Sequence, residues 1–502
     1  MDFAQPEFHV PPEFPSSERQ ERFASAYPEI DQLFGDFATE YRIPGVAFGV
    51  ITDNALSHSS GVGTANVATG LVPSSDTVFR IASMTKSVTA ISILMLRDDG
   101  LLSLEDPVAK YVPELQSLRY PTKDSAPITI KALLSMSSGF VEDDPWGDRL
   151  LGMDSATFTD LIASELAFDL VPCTAYEYSN LGYAILGRVV ENVSGTPLRE
   201  LSRTRLFEPL GMTSTTWDAD RVPAEVAAIG YRLQNGEWVP EPSLPDGAFG
   251  AMGGLATSVE DLARYVSFHL SAHPPRDDDD KGPLRRSSLR EMAQPHQAGP
   301  TYLSPADRHE YRLLYEGYGY GLVAAVHSRY GRVVAHSGGL PGFASHMEWL
   351  PDHGVAVVAL ANRTYRPVKD VVRKAIDALE STGALVPRKL SPSPALMKTR
   401  EAIKELYENW NEEFAASTML DTYFMDQDDD RRPPNFAELR TQYGACLSLD
   451  EISPTGALRG QWRMTCERGA LDVSVILGPQ SPSRIQFIRV SPTKPDPNSL
   501  PS

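Results

Sequence analysis

The chain has 502 residues, of which 42% are hydrophobic, 9% aromatic and 22% charged, a composition typical of a globular protein with a sizeable apolar core. Its formal net charge of -20, without a dense Lys/Arg block, excludes nucleic acid and anionic membranes as expected partners. A chain of this length is expected to fold as two domains.

The N-terminus predicts neither an export signal nor a membrane span. Residues 1–18 carry several Pro and Ser residues and lack a basic segment followed by an apolar run, which is typical of a flexible arm. The sequence contains no stretch of about 18 apolar residues that could cross a bilayer. As written it favours a cytoplasmic location, and a periplasmic or secreted one is left open for a chain already stripped of its signal.

The first ordered segment predicts a helix followed by two strands. Apolar side chains at helical spacing indicate an amphipathic helix within residues 18–41. Residues 46–52 predict a strand, and the turn at Asp53-Asn54 leads into a second strand that runs to Ser60. A helix is then expected from near Ser83 to Gly100, and its central run ISILML is apolar on every side, so it must be buried.

The middle of the chain predicts a helical insertion between strands. Residues 101–315 alternate short helical patterns with Gly, Pro and Asn breaks, which indicates a mainly helical subdomain. Several strands and a closing helix are predicted after it, at residues 319–326, 332–335, 345–350 and 355–361 for the strands and 367–379 for the helix.

This order of elements predicts an α/β (α+β) fold, an antiparallel sheet flanked by helices with an inserted helical subdomain. That domain is expected to span residues 19–385, and a linker is expected at 386–394. A small α+β domain at 395–490 and a flexible tail at 491–502 complete the chain. Three roles are left open for the small domain: narrowing an active-site mouth, binding a partner, or self-association into a homo-oligomer.

Ser83 and Lys86 form the first candidate catalytic pair. Their spacing at the start of a buried helix places a hydroxyl and an amine on one face, a turn apart. Desolvation lowers the pKa of a lysine, so Lys86 is able to take the proton of the Ser83 hydroxyl. The helix N-terminus favours an oxyanion. The same S-x-x-K spacing at Ser491 falls in a Pro-rich tail and is not expected to function.

Tyr178 and Asn180 supply a second motif, Y-x-N, at the start of an apolar helix pattern. A phenol near Lys86 can pass a proton between nucleophile and leaving group, while an amide can orient Lys86 or a substrate carbonyl. The other Y-x-N in the chain begins at Tyr407, in a charged helix pattern that predicts a solvated surface.

His336, Ser337, Gly338 and Gly339 form a third motif at the end of a predicted strand. Adjacent glycines let a substrate approach the backbone closely, so the Gly339 N–H is a candidate oxyanion donor. On its own, this segment is more typical of a His in a Gly-rich hairpin turn.

Taken in the order S-x-x-K, Y-x-N and H-x-G, the motifs resemble those of the serine β-lactamases, the penicillin-binding proteins and the related esterases and D-aminopeptidases. The resemblance covers residues 20–385, is closest to the class C-like branch, and includes framework segments at 128–140, 253–265 and 318–322. It implies a serine hydrolase that acts through an acyl-enzyme and needs no metal or organic cofactor.

The resemblance also implies a role for each motif residue. Ser83 is expected to be the nucleophile, Lys86 its base and Tyr178 the proton relay. The N–H groups of Ser83 and Gly339 are expected to form the oxyanion hole. The expected substrate contacts are Asn180, His336, Ser337 and Gly338.

His336 stands where the β-lactamases of this group usually carry Lys. Because an imidazole is mostly neutral at pH 7, His336 should bind a substrate carboxylate more weakly than a Lys would. The sequence therefore favours a small ester, amide or peptide substrate, as for an esterase, D-aminopeptidase or D-amino-acid amidase. A β-lactamase or D-Ala-D-Ala carboxypeptidase is the alternative, and a non-catalytic sensor that keeps the fold is an alternative of another class.

Overall fold

The computed structural model describes Phe14 and residues 18–299, 315–425 and 434–493. These residues form two compact units, divided between Pro387 and Arg388, and residues 275–278 group with the smaller, C-terminal unit. The division falls within the segment predicted to be a linker. The predicted N-terminal arm lies almost entirely outside the described residues, and the predicted tail begins inside the last described strand.

Strands of the larger unit form a large antiparallel sheet and two short pairs. Their bounds are β1 (Gly45–Thr52), β2 (Ala55–Gly63), β3 (Phe79–Arg80), β4 (Tyr231–Gln234), β5 (Glu237–Pro240), β6 (Ala256–Thr257), β7 (Gln297–Ala298), β8 (Tyr315–Tyr318), β9 (Val323–His327), β10 (Gly331–Leu340), β11 (Phe343–Leu350) and β12 (Val355–Ala361). Among the described residues the large sheet has eight strands in the order β2-β1-β12-β11-β10-β9-β8-β7, while β3 pairs with β6 and β4 with β5. Strands β1, β11 and β12 are buried along their whole length, as expected for continuous apolar runs in the middle of a sheet.

The helices of the larger unit lie before, within and after the sheet strands in sequence. Their bounds are α1 (Arg19–Ala24), α2 (Tyr27–Glu40), α3 (Thr85–Asp98), α4 (Ile130–Leu134), α5 (Asp144–Gly147), α6 (Ser155–Ala163), α7 (Asn180–Ser194), α8 (Leu198–Ser202), α9 (Glu208–Leu210), α10 (Gly250–Gly253), α11 (Val259–Leu270), α12 (Arg286–Met292) and α13 (Val368–Ser381).

Each face of the large sheet carries its own apolar core. On one face Phe34 of α2 and Ile376 of α13 pack with Val357 of β12. On the other face Ile91 of α3 and Met347 of β11 belong to the core that the helical insertion covers. The sheet is therefore covered on both sides by helices, and the segment that holds Ser83 lies in the second core.

The predicted fold class is confirmed: a large antiparallel sheet flanked by helices, with a mainly helical insertion. Two details differ from the prediction. The first helix is divided into α1 and α2. The strand predicted at residues 319–326 coincides with β9 only from Val323 onward, because β8 ends at Tyr318 and the chain turns through Gly321, at φ +69, before β9 begins. A positive φ favours glycine, which is why the turn can be this tight.

In the part of the smaller unit that the structure describes, the helices are α14 (Pro394–Glu408), α15 (Glu412–Thr418) and α16 (Phe436–Tyr443), and the sheet is antiparallel with five strands. Its strands are β13 (Cys446–Leu449), β14 (Ser453–Gly456), β15 (Arg459–Cys466), β16 (Gly469–Leu477) and β17 (Ile485–Pro492). Leu396, Trp462 and Val473 are buried in its core. Over the described part of the chain, no helix combines the length and apolar character needed to cross a membrane.

Candidate active site

The segment that carries Ser83 is held in a strained turn. The 3-10 helix Ala82–Met84 follows β3 and leads directly into α3, and Ala82 has φ 51, a left-handed conformation that typically costs about 1–3 kcal/mol for a residue with a side chain. Two hydrogen bonds fix the preceding residue: Ile81 N–H donates to Leu255 O at 3.0 Å, and Ser345 Oγ donates to Ile81 O at 2.8 Å. Together they keep Ser83 at the wall of a cleft.

Lys86 lies one turn further along, fully buried beside Ser83. Its Nζ is 3.0 Å from Ser83 Oγ, and it donates to Asn180 Oδ1 at 2.7 Å and to Met252 O at 2.9 Å. Burial lowers the pKa of Lys86 to about 8, although the nearby negative charge of Asp144 acts to raise it. In the neutral amine, two hydrogens satisfy the two carbonyl acceptors, and the lone pair is then available to the Ser83 hydroxyl.

Asn180 lies behind Lys86. Its Nδ2 donates to Asp144 Oδ1 at 2.8 Å, while Asp143 accepts the N–H groups of Asn180 and Leu181 at 2.6 and 2.9 Å. The amide is fully buried and is not among the described residues that border the cleft. Of the two roles considered for Asn180, this geometry supports the orientation of Lys86 and gives no support to substrate contact.

Tyr178 borders the cleft next to Ser83 and is half-buried. The centroid of its ring is 4.8 Å from Lys86 Nζ. Burial raises the pKa of its phenol well above the usual value, and a hydrogen bond with Ser83 opposes the shift only in part. The phenol is therefore protonated at neutral pH and can donate a proton.

His336 lies in β10 with both ring nitrogens engaged. Its Nδ1 is 2.6 Å from Ser337 O, to which it donates, so its Nε2 accepts from the Tyr318 hydroxyl at 2.9 Å. Burial lowers the pKa of His336 to about 3, and the nearby charge of Lys86 acts in the same direction. The imidazole is therefore a neutral part of the cleft wall, with its nitrogens occupied by protein groups.

Gly338 and Gly339 allow close contacts that a side chain would block. A Cβ at Gly338 would collide with Ile81 O and Ser345 Oγ, and a Cβ at Gly339 would lie 2.6 Å from the Tyr365 ring. The first contact brings β10 against the turn that carries Ser83. Gly339, Ser337 and Ser83 all border the same cleft.

Replacing Gly338 with Ala is expected to separate β10 from the Ser83 turn. We expect a loss of about 1–3 kcal/mol of unfolding free energy from overpacking, together with a large loss of turnover, measured by chemical denaturation and by ester hydrolysis. Gly35→Ala is the matched control, because open space surrounds Gly35 in α2, and there the change should stabilise by about 1 kcal/mol. Full activity in Gly338→Ala would show that turnover does not depend on the close contact between β10 and the turn that carries Ser83.

The cleft itself has a volume of about 1030 Å³. Carboxylates dominate its charged lining, with Glu142, Asp144 and Glu177 against Arg366. Tyr365, which borders the cleft, donates to Asp148 Oδ2 at 2.6 Å, and burial raises the pKa of Asp148 to about 7. The sequence alone does not identify the acidic side chains of residues 142–148 as part of a site, because they follow no recognised spacing.

The family comparisons agree with the resemblance seen in the three motifs. Residues 30–381 match the model of the Beta-lactamase family, so the chain belongs to this family. It is similar to Protein flp of Staphylococcus aureus (strain MW2), with 28% identity over 347 residues covering 66% of this chain and 62% of the relative. It is also similar to penicillin-binding protein 4 of Amycolatopsis lactamdurans, with 31% identity over 246 residues covering 48% of this chain and 62% of the relative.

These matches span less than two thirds of the length of the curated relatives. Among solved structures, the octameric penicillin-binding protein homologue from Pyrococcus abyssi has the same fold, with a TM-score of 0.61, 22% identity, and coverage of 90% of this chain and 91% of that chain. The family is thus established, and it supports a serine hydrolase in general.

Proposed function

We propose that the chain is a serine hydrolase that cleaves esters or amides through an acyl-enzyme on Ser83. The observation that carries the proposal is the 3.0 Å approach of a buried Lys86 amine to Ser83 Oγ, with the pKa of that amine lowered to about 8. A lysine in this state is neutral often enough near neutral pH to act as a base.

In the proposed reaction, Lys86 takes the Ser83 hydroxyl proton while Oγ attacks the substrate carbonyl carbon. The negative charge develops on the carbonyl oxygen, where the N–H groups of Ser83 and Gly339 stabilise it. Tyr178 delivers a proton to the leaving oxygen or nitrogen as its bond to carbon breaks, and it recovers one from Lys86. Lys86 then takes a proton from water as the water oxygen attacks the acyl carbon. The bond from that carbon to Ser83 Oγ breaks, Tyr178 delivers a proton to Oγ and recovers one from Lys86, and the acid and free Ser83 are released.

Esters and amides are preferred to substrates with a free carboxylate near the scissile bond. His336 is neutral and its nitrogens are engaged by Ser337 and Tyr318, so it offers no charge to a carboxylate. Most of the charged groups on the cleft wall are themselves carboxylates. Both observations weigh against β-lactams and D-Ala-D-Ala peptides, which carry that group.

A hydrolysis panel tests this proposal. We expect turnover of p-nitrophenyl acetate and butyrate or of D-alanine p-nitroanilide, with L-alanine p-nitroanilide as the stereochemical comparison and nitrocefin as the β-lactam. Strong nitrocefin hydrolysis without ester or amide cleavage would favour a β-lactamase instead. A fluorophosphonate probe should label the wild type but not Ser83→Ala, and an unlabelled wild type would point to a non-catalytic sensor.

The pH dependence of kcat/KM is expected to follow the deprotonation of the Lys86 amine. Because the base must be neutral, kcat/KM should rise with pH and reach half its maximum near pH 8. Asp144→Asn removes the largest charge that stabilises the ammonium form, so the midpoint should move to lower pH, while exposed Asp160→Asn should leave it in place. A midpoint unchanged by Asp144→Asn would argue against Lys86 as the titrating base.

Self-association stays a prediction from the sequence. The octameric state belongs to the Pyrococcus abyssi protein. Light scattering on the full chain, whose protomer mass is 55.1 kDa, measures the state of this one.

A further inference from the structure

Ser337, His346 and Glu348 form a hydrogen-bonded chain across two strands of the large sheet. Ser337 of β10 lies directly opposite His346 of β11, and the period of two places Glu348 on the same face. Ser337 Oγ is 2.8 Å from His346 Nδ1, and His346 Nε2 is 3.2 Å from Glu348 Oε2. His346 and Glu348 are buried, whereas Ser337 is exposed and borders the cleft.

The position of each hydrogen in this chain follows from its charges. Burial raises the pKa of Glu348, but the hydrogen bond from His346 and the charge of Arg373, 3.5 Å away, outweigh it, so the net pKa is lowered and the carboxyl is ionised. Burial lowers the pKa of His346 and keeps the ring neutral. A carboxylate only accepts, so the ring proton sits on Nε2, and Nδ1 accepts the Ser337 hydroxyl proton.

The consequence for the cleft is a change of hydrogen-bond polarity at Ser337. A free serine hydroxyl can donate to a substrate carboxylate or carbonyl. Here the proton is committed to His346, and the lone pairs of Ser337 Oγ are left to face the cleft. Arg366 borders the same cleft and supplies donors. An acceptor on the cleft wall can pair with the N–H of a substrate amide, and a donor can pair with its C=O.

We propose that His346 and Glu348 are positioning residues that hold Ser337 as a hydrogen-bond acceptor, through which the cleft selects acyl substrates that carry an amide N–H beyond the scissile bond. This inference rests on the proposed hydrolase function and narrows its substrate class to peptide-like acyl groups. A substrate that offers only acceptors at this position would meet the Ser337 lone pairs unfavourably.

Two p-nitrophenyl esters that differ in one atom test the proposal: the ester of N-acetylglycine, and that of acetylglycolic acid, in which oxygen replaces the N–H. The leaving group and the attacked carbonyl are the same in both. We expect the wild type to favour the amide-bearing ester by about tenfold in kcat/KM, the effect of one hydrogen bond. Ser337→Ala should bring the ratio close to one, and Ser337→Thr, which keeps the hydroxyl, should retain it.

His346→Phe should also lower the ratio, because the Ser337 hydroxyl is then free to rotate and to donate. The matched control is His269→Phe, at a buried histidine in α11 that does not border the cleft among the described residues. Because both rates come from one preparation, a partly unfolded variant lowers them equally and leaves the ratio intact. A ratio near one in the wild type, or one unchanged by Ser337→Ala and His346→Phe, overturns the inference. If the wild type cleaves neither ester, the proposed function fails instead.

Discussion

Lys86→Met is expected to lower kcat/KM for ester hydrolysis by about 10²- to 10⁴-fold, the usual effect of removing a positioned base. The variant should remain folded, because Met has a similar length to Lys. Removing the buried amine also removes the free-energy cost of desolvating it. The loss of two hydrogen bonds, to Asn180 and Met252, offsets part of that gain. Initial rates and thermal unfolding measured on the same preparation separate the two effects.

Ser83→Ala provides the comparison for this variant. If Ser83 and Lys86 act as one unit, the double variant should be no slower than the worse single variant, because residues that serve one step are not additive. A Lys86→Met enzyme that recovers full activity at high pH would show that hydroxide or another group can replace the amine. That result would contradict the role of Lys86 as base.

Tyr178→Phe is expected to separate substrates by their leaving groups. A p-nitrophenolate leaves without a proton, so kcat/KM for p-nitrophenyl acetate, which reports acylation, should change little. An anilide nitrogen must be protonated as it leaves, so cleavage of D-alanine p-nitroanilide should fall by about 10²- to 10⁴-fold. The ring stays in place in the variant, which keeps its contact with the Lys86 amine.

Tyr330→Phe is the control for the loss of a phenol. Its ring belongs to the core on the α13 face of the sheet, and its hydroxyl contacts the exposed Asp377. Tyr330 does not border the cleft among the described residues. Both substrates should be hydrolysed at wild-type rates. Equal losses on ester and anilide in Tyr178→Phe would mean that the phenol supports the site without donating to the leaving group.

The sequence predicted the part of the site that depends on local geometry. Ser83 and Lys86 are three residues apart where a helix starts, and helical spacing alone brings their side chains together. Tyr178 and His336 could be placed beside them only through the order of the motifs in a known family. Their contacts cross between elements far apart in sequence, which no local pattern encodes.

The features that the sequence did not predict depend on register or on long-range packing. His346 faces Ser337 because β10 and β11 pair in one register, and a shift of one residue would point the imidazole to the other side of the sheet. The engaged nitrogens of His336 depend on Tyr318, the last residue of β8, a strand that was not predicted from the sequence. The strand predicted from Gly319 covers the turn after β8 as well as part of β9.

The left-handed backbone of Ala82 links the stability of this protein to the position of the Ser83 hydroxyl. Glycine adopts that conformation without steric cost, so Ala82→Gly would relax the turn while loosening the placement of the neighbouring hydroxyl. In Ala82→Gly, thermal stability and turnover are therefore expected to change in opposite directions.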